Sequence, residues 1–141
     1  MTRVDFYFNA DDKVEAARKL AAKIHRAGKQ ALFYAVDERI AGELDAAIWT
    51  QDKLSFVPHV RCGHPLAQET PILIGTDADA LASPDVLVNL GADRPPVFSR
   101  FERLIELVGR DDADRQAARE RYRFYKERGY EINNVDLDKH G

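Results

Sequence analysis

The chain has little of what would fix its class at once. Its 141 residues hold a single cysteine, Cys62, which excludes an internal disulfide framework and fits a reducing compartment. No apolar run approaches the ~18 residues that a membrane helix needs. The opening MTRVDFYF lacks the long apolar core and cleavage site of a signal peptide. The expected location is the cytoplasm, with no membrane partner. Positive charge is not in surplus either. The 21 Lys and Arg stand against 24 Asp and Glu for a net charge of −3, unlike domains that live on phosphate backbones. Any cationic function must therefore be local. A Gly-rich phosphate loop is missing too, since the turn after the first strand pattern reads Asn9-Ala10-Asp11-Asp12. Two adjacent carboxylates at a helix start repel a phosphate, so no cofactor is expected.

What is present is an ordinary globular composition. With 45% hydrophobic residues the 141-residue chain can cover one core, and a single domain over residues 1–141 is expected. Residues 4–8 alternate apolar and polar, and Val14, Ala17, Leu20, Ala21 and Ile24 then recur at helical spacing, with Gly28 at the end. Residues 31–36 (ALFYAV) form an apolar run suited to a strand covered on both faces. Asp37 can cap a second helix through Ile40, Leu44, Ala47 and Ile48 to Trp49. Periodicity weakens over residues 50–70. Strands are predicted again at 71–75 and 86–90, with a short helical turn at 78–82. After Pro95-Pro96, the spacing of Phe98, Phe101, Leu104, Ile105 and Val108 predicts a helix, and Gly109 interrupts it. A polar, partly loose tail is expected from about residue 131. Alternating strands and helices predict one layered α/β domain with a mostly parallel sheet.

The most distinctive stretch is residues 111–130, DDADRQAARERYRFYKERGY. Aspartates open it where a helix N-terminus favours negative charge, basic residues crowd its later turns, and Gly129 stands at the C-terminal cap. At about 100° per residue, Arg115, Arg119, Tyr122 and Lys126 share one stripe with Arg123 at its edge, and Ala118 and Tyr125 flank it on the buried side. Two readings stand. The arginines of a solvated helix would pair with Glu120 and Glu127; alternatively, the stripe is a face that recognises anions.

Other candidates carry less. His59, Cys62 and His64 would supply three zinc ligands in one loop, but without a fourth and without paired Cys-x-x-Cys halves they also read as an incidental loop. Asp77 and Asp79 lack a third ligand and read as turn and capping residues. No metal site is assigned. Trp49 and Phe56 bracket an irregular segment and either complete the core beside the second helix or form an aromatic anchor for another chain.

The segments 44–59 (LDAAIWTQDKLSFVPH) and 118–133 (ARERYRFYKERGYEIN), with VDFYF, GKQALFYAVDE and VLVNLGADRPPVFSRFERLIELV in the same order, resemble the chi subunit family of bacterial DNA polymerase III. The pairing of FVPH with ARERY makes the resemblance specific, and nearly the whole chain is covered. It implies a non-catalytic accessory subunit. In such an adaptor Val108, Arg115, Arg119, Tyr122 and Arg123 receive the acidic C-terminal tail of single-stranded-DNA-binding protein, which ends in a phenylalanine carboxylate. Trp49 and Phe56 would meet the psi subunit of the clamp loader, or a helicase using the same surface, and DNA would be contacted only indirectly. Arg115 and Arg123 stand where lysine is also acceptable, which keeps the charge and changes the donor geometry.

The expected fold is thus a single three-layer Rossmann-like α/β domain with a mostly parallel sheet and no nucleotide-binding glycine loop, working in DNA replication. Two rival functions remain: a small nucleotide- or phosphoester-processing enzyme using Arg115 and Arg119, and a direct single-stranded DNA binder stacking bases on Tyr122 and Tyr125.

Overall fold

The computed structural model describes residues 1–50 and 56–140. In chain order the elements are β1 (Arg3–Ala10), α1 (Lys13–Arg26), β2 (Ala31–Tyr34), α2 (Glu38–Trp49), β3 (His59–Arg61), β4 (Ile72–Gly75), β5 (Val86–Asn89), β6 (Arg103–Gly109), α3 (Asp112–Glu127), β7 (Ile132–Asp136) and α4 (Leu137–His140). Among the described residues seven strands form one sheet in the order β3-β4-β2-β5-β6-β1-β7. Every pairing is parallel.

Parallel strands connected by helices are buried on both faces, which explains their apolar runs. On one face α1 and α2 pack Ala17, Leu20, Leu44 and Ile48 against Phe33, Ile72, Ile74, Val88 and Ile105. On the other, α3 packs Ala118 and Tyr125 against Val4, Phe6, Leu87, Leu104 and Val108. The result is the expected three-layer Rossmann-like arrangement.

The helix ends follow the sequence signals. The Asp12 and Asp37 side chains accept backbone N–H groups in the first turns of α1 and α2, as Asp111 does for α3. Helix α3 closes on Gly129 at φ 80°, where Tyr130 N–H donates to the Tyr125 carbonyl at 3.1 Å. That left-handed turn is open to glycine without strain and ties up a carbonyl the helix leaves unpaired.

Two expectations fail. The helix predicted across residues 98–108 is instead a short 3-10 turn, Phe98–Arg100, followed by strand β6 between β5 and β1. Leu104, Ile105, Leu107 and Val108 are all buried, because a strand covered on both sides needs apolar residues on both. Short apolar runs of this kind satisfy helix and strand spacing equally. Nor is the stretch from 131 a loose tail: residues 132–136 are β7, paired with β1 along Val4–Ile132, Phe6–Asn134 and Phe8–Asp136. Its polarity reflects its place at the sheet edge. In the weakly periodic stretch 50–70, residues 51–55 lie outside the described residues, and His59–Arg61 forms the opposite edge strand, β3.

Candidate functional site

Helix α3 connects β6 to β7 across β1, and beside it, toward the carboxyl ends of β1 and β6, opens a cleft of about 690 Å³. Alternation along β1 puts Phe6 and Phe8 on the α3 side as its floor, and Val108 adds an aliphatic wall from β6. Tyr122 closes the floor with its ring 5.3 Å from that of Phe6. The rim is cationic: Arg115, Arg119, Arg123 and Lys126 all line it from α3. The helical stripe read from spacing is therefore the wall of a real cavity, and Ala118 and Tyr125 lie on the buried side as expected.

Among the described residues none of these rim charges is paired with a carboxylate. Arg119 and Arg123 have no hydrogen-bond or ion-pair partner among the described residues, and no arginine of α3 pairs with Glu120 or Glu127 there. Arg115 donates from Nη2 to the Asn9 side-chain oxygen at 3.1 Å, a neutral acceptor that leaves its charge intact. Lys126 stands 6.0 Å from the Tyr122 ring centroid. Exposed guanidiniums above an aromatic floor can take an apolar side chain below and a carboxylate fork above.

The arginine between Arg119 and Arg123 behaves differently. Arg121 is buried on the inner side of α3, with Nε 3.1 Å from Glu106 Oε1 and Nη1 donating to the Ala92 carbonyl. Glu106 itself is fully buried in β6 and accepts from Asn89 Nδ2 at 2.7 Å and Tyr125 Oη at 2.6 Å. Burial pushes the Glu106 carboxyl above the ordinary range, against the pull of the Arg121 charge and the Tyr125 and Asn89 donors. Burial, and then the facing carboxylate, also raise the Tyr125 phenol. This network anchors α3 to the sheet. Glu106 was not singled out by sequence, because its partners lie on β5 and α3.

At the N-terminal end of α3, Asp114 accepts the Gly109 N–H at 2.7 Å and meets Lys13 Nζ at 3.2 Å, fixing the β6–α3 turn beside the cleft. Asn9 was not singled out by sequence either. It sits where the β1–β6 register shifts, at φ 63°, and lines the cleft next to Arg115. An asparagine before a turn was the available signal, because Asn tolerates the left-handed region better than most residues.

The second pair of candidate residues lies far along the sheet, at the β3 edge. Trp49 and Phe56 are 60% and 54% exposed, with ring centroids 5.6 Å apart. The core reading of this pair is thereby excluded. His59 supports the patch from below: it is buried, edge-on to Trp49 at 5.0 Å, and its Nε2 lies 3.1 Å from Asp45 Oδ1. Cys62 contacts the Asp77 carbonyl at 3.7 Å, while His64 Nδ1 accepts the Leu66 N–H, so His59, Cys62 and His64 do not converge. Burial raises the Cys62 thiol above its ordinary value. Asp77 accepts the Asp79 N–H as a turn cap, and Asp79 pairs with Arg100 at 2.5 Å. Among the described residues no group of three such side chains is placed to hold a metal ion, and no helix is long and apolar enough to cross a membrane.

The comparisons with known proteins decide the family. The model of the DNA polymerase III chi subunit, HolC, matches residues 1–133. The chain belongs to that family. A DNA polymerase III subunit chi of Pseudomonas aeruginosa is 37% identical over 99% of this chain and 99% of its own length. The Haemophilus influenzae subunit chi is 36% identical over 87% and 86%. By structure alone, the chi-family chain resembles S. cerevisiae Dbp5 bound to Nup159, at a TM-score of 0.66 and 12% identity over 98% of this chain and 42% of that one. That likeness extends to the fold only. A DNA polymerase III chi subunit is an accessory part of the polymerase, so the protein serves DNA replication.

Proposed function

We propose that this chi subunit is a non-catalytic adaptor with two docking sites. The cleft beside α3 takes the acidic C-terminal tail of single-stranded-DNA-binding protein, and the Trp49–Phe56 patch takes the psi subunit of the clamp loader or a helicase. The observation that carries the reading is the pair of guanidiniums, Arg119 and Arg123, that have no partner among the described residues and are set over the apolar floor of Phe6, Phe8, Val108 and Tyr122. A terminal phenylalanine ring fits the floor, its α-carboxylate matches the guanidinium forks, and acidic residues upstream meet the remaining rim. Clustered positive charge also speeds encounter with an acidic tail. DNA is then reached through the bound protein, which fits a net charge of −3 on the chain.

The partner experiment is a surface-binding assay with intact single-stranded-DNA-binding protein and with the same protein lacking its terminal acidic segment. Binding by the intact form alone, weakening as salt is raised, is the expected result. Equal binding of both forms contradicts the assignment of the cleft.

A further inference from the structure

Asn9 is the one cleft residue whose backbone conformation is unusual and whose side chain is committed at both ends. At φ 63° it occupies the left-handed region, where the β1–β6 register slips between Tyr7 and Ala10. Its Nδ2 donates to Asp136 Oδ1 in β7 at 3.0 Å, and its Oδ1 accepts from Arg115 Nη2 in α3 at 3.1 Å. The orientation of the amide is determined by its neighbours. An ionised Asp136 only accepts hydrogen bonds, so the NH₂ group must face it and the carbonyl must face Arg115. Asp136 is held in place in turn by the Asp138 N–H at 3.0 Å. Its pKa lies below the ordinary carboxylate value, chiefly because of the Asn9 donor.

From this relay we infer that Asn9 is a positioning residue for anion capture, a neutral tether that aims the Arg115 guanidinium into the cleft without neutralising it. The inference rests on the tail-binding reading of the cleft and adds a residue to it. The neutrality is the chemical point. A carboxylate at position 9 would lose the donor to Asp136 and set a like charge against it, and it would form an ion pair with Arg115 that the ligand carboxylate would have to displace. An alanine or glycine would leave Arg115 to sample many rotamers, and ordering it would then oppose binding. Asparagine also tolerates the left-handed backbone that puts position 9 within reach of both α3 and β7.

The test is a titration with an acidic peptide ending in phenylalanine, free or amidated at its carboxylate, against wild type, Asn9→Gly, Asn9→Asp, Arg115→Ala and the double variant Asn9→Gly/Arg115→Ala. Glycine is the primary substitution because it accepts φ 63° without strain and so keeps the fold. Asn9→Gly is expected to weaken free-carboxylate binding about 3- to 10-fold, the range of one lost hydrogen bond. Asn9→Asp should weaken it by more than about 10-fold, because a charge-assisted competitor now occupies Arg115. In the Arg115→Ala background the glycine substitution should have no further effect. Equal losses with and without Arg115, or an Asn9→Asp variant that binds as wild type does, overturn the positioning role while leaving the cleft assignment intact. A wild type that fails to bind the free peptide overturns the cleft assignment, and the inference with it.

Discussion

Arg119 and Arg121 stand two residues apart on α3, and the fold uses them in opposite ways. Arg121 faces the sheet, buried against Glu106 with Asn89 and Tyr125 completing the network; Arg119 faces the cleft with no partner among the described residues. A buried guanidinium is tolerable only when paired, so the sheet side of the helix had to supply a carboxylate. An exposed guanidinium keeps its hydration and can wait for a ligand at little cost. Position around the helix thus sorts one residue type into a buried anchor and an exposed cleft rim, and it is this rim that the proposed function makes a receptor.

The contrast is broken most severely at Arg121. Arg121→Ala leaves Glu106 buried without its counter-charge and should lower stability by about 3–5 kcal/mol in urea unfolding. A loss below about 1 kcal/mol would show that the network does not anchor α3. Arg119→Ala should give the mirror image. Tail-peptide affinity is expected to fall by about 1–3 kcal/mol as a charge-assisted contact disappears, while stability stays within about 0.5 kcal/mol of wild type. Unchanged affinity by calorimetry would remove Arg119 from the receptor face.

Phe56→Ala acts at the far edge of the sheet. It should weaken the psi-side contact by about 2 kcal/mol, the scale of an aromatic anchor, and leave the tail peptide bound as before. Loss of tail binding would mean that the two surfaces are not independent. The smallest effect is a titration. Because the folded-state pKa of Asp136 is lowered, its contribution to stability is present above the ordinary Asp value and is lost as pH falls through the folded pKa. Asn9→Gly should move the Asp136 carboxyl back toward its ordinary value in carbon-detected NMR. No movement would show that the Asn9 donor does not set it.

Much of this was legible in the sequence, and the gaps have physical causes. The caps at Asp12, Asp37 and Asp111 and the left-handed Gly129 follow rules local to a few residues, so α1, α2 and α3 were readable. The stripe from Arg115 to Lys126 was readable for the same reason, and so was its cationic character. Strand β6 was not, because Leu104, Ile105 and Val108 continue a helical period set by Phe98 and Phe101, while the burial that makes residues 103–109 a strand depends on distant neighbours. Glu106 was not legible for the same reason, being a buried charge whose partners lie on β5 and α3. The edge strands β3 and β7 are short or polar, and only pairing with β4 and β1 reveals them. Phe6 and Phe8 were visible as one face of a strand, but which helix would cover that face is a matter of topology.

The central claim is that the cleft reads a terminal carboxylate over an aromatic floor. The most direct test is fluorescence anisotropy with a short acidic peptide ending in phenylalanine, free or amidated, at low and raised salt. Micromolar binding, about 8 kcal/mol, that collapses on amidation and weakens with salt is the expected result. Equal affinity for the free and amidated peptides, or no binding at low salt, would contradict it and leave Arg119 and Arg123 as a solvated face.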